Sequence, residues 1–389
     1  MNFIPANQKY GRGTLIFVLS GIGFYLAYSQ CSMAMHNFVI SGQYDADLSK
    51  GQHMIDVSNW LSLCFGVITS FIADRWIGHR KTVLAACAVG ISASLSWLYI
   101  PEYGHHYCMF AADFAYAAFI PAMAAQFGRY LLFRPALLAG GFTLFFQVLS
   151  IMGWCGFLFL NNLSNDFTVG MWTIAGLYLC SAAAHWFTPE YAQEEMPEPR
   201  KVKRVYLYGV LFFLGMLAYI VFSQYNNAAS AVLMTEIPAP QSGDQIFFFF
   251  LLLQVILGTI LVIYLSYFRT HAVKRVTIGF SLLAAASLLF LLGERDILPI
   301  GYFVTETAVL LITIGAVFLT PLMNSIIVKY CDSKYLATVI AGVQLLMSLS
   351  YLLVGTFPIP GDALRNIAIA LPVPLVFIAL LILIKKKTP

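Results

Sequence analysis

The stretch "ADRWIGHRKTVL", residues 73–84, places one acid, Asp74, and three fixed cations, Arg75, Arg80 and Lys81, between two long apolar runs. The 389-residue chain around it is 60% hydrophobic and only 10% charged, with a mean hydropathy of +0.79. A soluble globular domain carries roughly 25% charged residues, so this chain holds far more apolar surface than one core can absorb. The expected solvent for most of it is lipid.

Crossing a hydrocarbon core of about 30 Å at about 1.5 Å per residue takes roughly 20 apolar residues. Twelve segments of that length lie near 13–37, 54–73, 82–100, 106–127, 136–160, 169–187, 205–225, 246–268, 276–293, 300–327, 336–357 and 366–384. Backbone polar groups in hydrocarbon need internal partners, which leaves helices or closed barrels. The runs are continuous and lack the two-residue alternation of barrel strands. The expected fold class is therefore an all-α polytopic membrane protein with twelve transmembrane helices.

The loops orient these spans. The N-terminus and the loops after every even-numbered span hold 19 of the 22 Lys and Arg residues, and only Lys50, Arg295 and Arg365 fall on the other side. Positive loops stay inside, so both termini are expected in the cytoplasm. A missed span would invert every later loop, so this split also supports the count of twelve. The net charge of +4 then reflects topology and suggests no nucleic-acid partner. No cleavable targeting signal is expected, because the first apolar run is longer than a signal core and lacks a small-residue cleavage site. Seven scattered cysteines without a CxxC pair read as buried small hydrophobes.

One polar inner segment, "TPEYAQEEMPEPRKVKR" at 188–204, interrupts the apolar pattern. It divides the chain into a six-helix bundle (1–187), a cytoplasmic linker (188–204) and a second six-helix bundle (205–389). Basic loops follow span 2 ("DRWIGHRK") and span 8 ("FRTHAVKR"), equivalent positions in the two halves. Two six-helix halves with internal repeats describe the 6+6 major facilitator architecture.

Asp74 is unexplained by membrane orientation, to which acids contribute little. An acid at the membrane edge reads as a partner for a neighbouring helix end, and Gly78 permits a tight turn into span 3. Asp74, Arg75, Gly78, Arg80 and Lys81 thus form a candidate cytoplasmic gate, a latch that releases during transport. The alternative is a positive-inside anchor, which the cations alone would satisfy. The stretch resembles the loop 2–3 signature of the major facilitator superfamily, and its glycine four residues after the acid resembles the proton-dependent oligopeptide transporter branch. "FIPAMAAQFGRYL" (119–131), "VFSQYNNAAS" (221–230), "VKRVTIGFSL" (273–282) and "VFLTPLMNSIIVKYC" (317–331) are similar to that branch's spans 4, 7, 9 and 10.

Departures from the branch fall on its charges. Its acid-rich span 1 motif is replaced by the uncharged "SGIGFYLAYSQ" (20–30), its span 4 lysine by Ile120, and its span 7 and span 10 acids by Ser223 and Ala316. Its span 5 signature is degenerate in "FFQVLSIMGWCG" (145–156). The resemblance implies the fold and alternating access; without those charges it does not imply ordinary dipeptides, whose termini need counter-charges.

Few ionisable groups remain inside the spans. Asp113 lies about 12 Å into span 4 and Glu306 about 9 Å into span 10, with Asp56 near the outer end of span 2. A charge at mid-bilayer costs at least about 2.5–3.5 kcal/mol, so such acids are functional candidates. They can bind a cationic group, exchange protons because burial favours the neutral carboxyl, or serve as structural acids bonded to a neighbouring helix. Asp113, Glu306 and Asp56 are the proton-coupling candidates. The substrate-binding candidates are Tyr25, Tyr28 and Gln30 (span 1), Gln147 (span 5), Gln224, Asn226 and Asn227 (span 7), Asn324 (span 10) and Gln344 (span 11), because amides in lipid turn toward partners inside the bundle. Bonding between helices is the alternative for these as well.

No metal site is expected, since His36, His105 and His106 lack convergent ligand spacing. No cofactor is expected either, because the phosphate-loop, HExxH and GxSxG signatures are absent. The favoured function is a proton-coupled secondary transporter, a symporter, for a small organic solute, with a peptide- or amino-acid-like compound implied by resemblance. Its partners are that solute, protons and the lipid bilayer, and it is expected to act as a monomer in a bacterial inner membrane. The rival readings are a non-transporting sensor on a transporter scaffold and a polytopic membrane enzyme.

Overall fold

The computed structural model describes residues 2–3, 10–40, 48–100, 103–155, 167–190, 240–269, 272–294 and 302–356. Ten α-helices lie among them. They are α1 (Arg12–Ile40), α2 (Leu48–Ile72), α3 (His79–Tyr99), α4 (Gly104–Leu132) and α5 (Leu138–Cys155), then α6 (Phe167–Trp186), α7 (Pro240–Tyr267), α8 (Ala272–Glu294), α9 (Tyr302–Tyr330) and α10 (Leu336–Thr356). Helices α1–α6 fall on spans 1–6 of the sequence reading, and α7–α10 fall on spans 8–11. Spans 7 and 12 lie outside the described residues. A two-residue antiparallel pairing of Asn2–Phe3 with Phe268–Arg269 is the one extended element among them.

Five of these helices are long and apolar enough to cross a membrane: Arg12–Val39, His53–Ile77, His79–Tyr99, Gly104–Leu132 and Phe167–Trp186. Apart from Phe65 in mid-span, their exposed aromatic residues sit toward the ends. Tyr99, Tyr103, Phe167 and Trp172 mark one end, while Trp76, Phe133, Trp186 and Phe187 mark the other. The amphipathic Trp and Tyr rings among them are of the kind that anchors spans in the two lipid–water interfaces.

The chain divides into two compact units, Pro5–Arg200 with Ile327–Leu345, and Met1–Ile4 with Lys201–Ile326 and Leu346–Pro389. In the first, α4 is buried along almost its whole length and packs on α1, α2, α3 and α5. Its sequence explains this central place. Ala111, Ala112, Ala115, Ala117, Ala118, Ala122, Ala124 and Ala125 are all buried, and small side chains let neighbouring backbones approach. A Cβ on Gly66 of α2 would stand 3.0 Å from the Ala117 carbonyl oxygen. Phe24 of α1 stacks on Phe119 of α4 at 3.6 Å between ring centroids. In the second unit α8 meets α9 through glycines, since a Cβ on Gly315 would stand 3.1 Å from the Gly279 carbonyl oxygen.

A local irregularity interrupts the α2–α3 hairpin. Ala73–Ile77 forms a π turn, closed by the Gly78 N–H on the Ala73 carbonyl at 3.0 Å. Gly78 has φ +86°, a region in which a Cβ is strained. Helix α3 starts immediately after it, with the Thr82 hydroxyl returning to the Gly78 carbonyl at 2.9 Å. A π turn inside an α-helical context is uncommon and tends to mark function.

Candidate functional site

A cavity of about 780 Å³ opens within the Pro5–Arg200 unit. Helix α1 supplies Tyr25, Tyr28, Gln30 and Cys31, α2 supplies Asn59, and α4 supplies Met109 and Asp113. Asp113 is 8% exposed. Its Oδ1 accepts a hydrogen bond from the Tyr28 hydroxyl at 3.1 Å, and its Oδ2 accepts one from Ser58 of α2 at 2.6 Å. Three helices therefore converge on one carboxyl group. The Tyr28 ring stacks on Tyr116 at 4.2 Å between centroids, which fixes the hydroxyl that holds Asp113. The Nε2 atom of Gln30 is buried without a hydrogen-bond partner. An unmet donor costs about 1–3 kcal/mol.

The cavity thus brings together Tyr25, Tyr28, Gln30 and Asp113 from the sequence-derived candidates. Gln147 is buried on α5 and Asn324 on α9, Gln344 is half-buried on α10, and none of the three lines this cavity. Glu306 and Asp56 lie on helices α9 and α2, with side chains outside the described residues. Gln224, Asn226 and Asn227 lie outside them altogether. Sequence reading missed Ser58, Tyr116 and Asn59. Tyr116 follows Asp113 by three residues, which puts both on one helix face, and that spacing was available as a signal.

The second polar cluster is built around Asp74. Its Oδ2 accepts from the Thr338 N–H at 2.8 Å and the Thr338 hydroxyl at 2.7 Å, while Oδ1 accepts from the Ala337 N–H at 3.2 Å. These are free donors of the first turn of α10, so a carboxylate on the α2–α3 turn caps a helix far away in sequence. His79 Nε2 lies 2.8 Å from Asp74 Oδ1, and both side chains are buried. On a regular α-helix residues five apart diverge by about 140°; the π turn and the break at Gly78 bring this pair together.

Arginines hold the same segment. Arg75 donates to the Tyr335 hydroxyl and lies over the ring, 4.6 Å from its centroid. Arg129 of α4 donates to the Ser333 carbonyl. Arg80 donates to the Trp186 carbonyl, covers the Trp186 ring and lies 3.8 Å from Glu190 Oε2. Lys81 is exposed. All these contacts fall within the Pro5–Arg200 and Ile327–Leu345 unit.

The model of the Major Facilitator Superfamily matches residues 9–355. The chain belongs to the major facilitator superfamily. It is therefore an integral membrane transporter with the major facilitator fold. Among solved structures, the human organic anion transporter MFSD10 (TETRAN) is similar at 14% identity with a TM-score of 0.72, covering 95% of this chain and 99% of that one. A bacterial homologue of the iron transporter ferroportin, in an outward-facing state, is similar at 12% identity and TM-score 0.72, covering 96% of this chain and 100% of the other. The transporter FucP in its outward conformation gives 12% identity and TM-score 0.68, with 94% and 98% covered. No curated protein matches the chain in sequence. At these identities the likeness shows a shared fold. Membership of the superfamily makes the chain a membrane transporter rather than an enzyme.

Proposed function

We propose that this major facilitator is a secondary active transporter that moves a small organic solute by alternating access, coupled to proton movement. The carrying observation is the cavity of about 780 Å³ in which Asp113, tyrosines and amides face one space among spans. Sites for small molecules enclose roughly 300–1,000 Å³ and combine apolar walls with a few placed polar groups. A carboxyl group kept inside spans against a penalty of about 2.5–3.5 kcal/mol is a functional group by default. Asp113 is the principal coupling residue, with Glu306 and Asp56 as further candidates.

The six-helix bundles 1–187 and 205–389, joined by the 188–204 linker, rock about the solute and open it to each side in turn. Asp74, Arg75, Gly78, Arg80 and Lys81 form the gate at the cytoplasmic face of a bacterial inner membrane, where both termini also lie. The supporting geometry is the carboxylate cap on the first turn of α10, an interaction that one conformation can make and another can break. No Lys, Arg or His lines the cavity among the described residues. That lining offers no counter-charge for the carboxylate of a peptide, nor for the organic anions named for MFSD10.

Uptake into proteoliposomes with no pH gradient, with the outside acid and with the lumen acid tests the reading. Solute accumulation that follows the gradient is the expected result. Binding of a solute that never crosses the bilayer, under any gradient, would instead favour a sensor.

A further inference from the structure

The charge of the cavity is one-sided. Asp113 is the carboxylate that lines it among the described residues, and no cationic side chain accompanies it. Its two hydrogen-bond donors, Tyr28 and Ser58, are both uncharged hydroxyls. Each carboxylate oxygen keeps a further acceptor site. The titratable groups facing it are Tyr28 and Cys31 of α1 and Tyr178 of α6, with Cys108 and Tyr116 of its own helix α4 lying against Cys31 and Tyr28. Phenols and thiols are ordinarily neutral near pH 7, so none of them balances an ionised Asp113.

The walls suit the apolar body of such a counter-ion. Tyr25 contributes an aromatic ring, and a ring face attracts a cation by about 0.5–2 kcal/mol. Met33, Met35 and Met109 supply flexible, polarizable walls that adapt to an irregular body. Tyr28 is already stacked on Tyr116, so it acts through its hydroxyl.

We propose that the cavity takes a monovalent organic cation, an amine or quaternary ammonium on an apolar or aromatic body, with Asp113 as its counter-ion. The inference rests on the transporter reading above and narrows its substrate class. A proton and the cation neutralise the same carboxylate, so they occupy it in turn. Transport then exchanges one for the other rather than carrying both together.

The test uses the purified full chain and two isosteric probes, 4-phenylbutyltrimethylammonium and its uncharged analogue with carbon in place of nitrogen. Wild-type protein is expected to bind the cation at least tenfold more tightly than the neutral probe in calorimetric titration. That preference should weaken as the pH is lowered, with proton release at the acid end. Asp113→Asn should bind both probes alike. Equal affinities in wild type, absence of cation binding, or a preference surviving in Asp113→Asn would each overturn the proposal. The comparison within wild type decides the matter even where the variant misfolds. Cation binding without flux in proteoliposomes would defeat the transporter reading alone, whereas flux of an uncharged solute without cation binding would defeat this inference alone.

Discussion

Asp74 holds four donors with one carboxylate: two backbone N–H groups and a hydroxyl at the start of α10, and His79 from the start of α3. Hydrogen bonds to a charged group contribute about 1.5–3 kcal/mol each at most, and a helix N-terminus favours an anion by about 0.3–2 kcal/mol. Asp74→Asn keeps the shape and one acceptor oxygen but removes the charge. A loss of about 1–2 kcal/mol shifts a two-state equilibrium by roughly 5–30-fold. The expected outcome is a transport rate lowered by about that factor with solute affinity within twofold, measured by initial uptake rates and equilibrium binding. A defect confined to affinity would contradict the gate. Gly78→Ala should act through backbone strain at φ +86° and cost about 1–2 kcal/mol, read as a lower melting temperature in detergent.

Helix contacts separate what the sequence disclosed from what it hid. Long apolar runs made α1–α6 legible, because lipid demands about 20 residues per span and nothing else in the chain competes with that pattern. Pro121 and Pro321 sit inside helices of equal length, Gly104–Leu132 and Tyr302–Tyr330, an internal correspondence already visible in the order of spans. The Asp74–His79 pair was hidden, since a π turn cannot be read from spacing that assumes 3.6 residues per turn. Asp113 was legible as an intramembrane acid, while its partner Ser58 was not, because register between two helices follows from packing and not from either sequence alone.

That packing has sharp consequences for glycine. A Cβ on Gly90 of α3 would stand 2.6 Å from the Tyr178 ring, and one on Gly23 of α1 would stand 3.1 Å from the Leu177 carbonyl oxygen of α6. Overpacking of such contacts costs about 1–3 kcal/mol. Gly90→Val and Gly23→Val should both lower the melting temperature of detergent-solubilised protein. A Cβ on Gly176 of α6 meets nothing within 4 Å, so Gly176→Ala should leave the melting temperature unchanged or raise it. An equal loss in all three variants would contradict interhelical approach as the cause, because helix propensity alone favours alanine over glycine at Gly176.

At the scale of the molecule, a central α4 lined with buried alanines also bears the buried acid proposed to couple transport. Its small residues draw α1, α2, α3 and α5 close, and the cavity opens beside Asp113, with Tyr28 of α1 and Asn59 of α2 among its lining. The account stands on that cavity being reachable from each side of the membrane in turn. Asn59 lines it and is exposed. In a variant whose seven cysteines are replaced, Asn59→Cys can be challenged with a membrane-impermeant thiol reagent added to one face of oriented vesicles at a time. The account predicts labelling from both faces, with bound solute slowing each. Labelling from one face only, unchanged by solute, would contradict it.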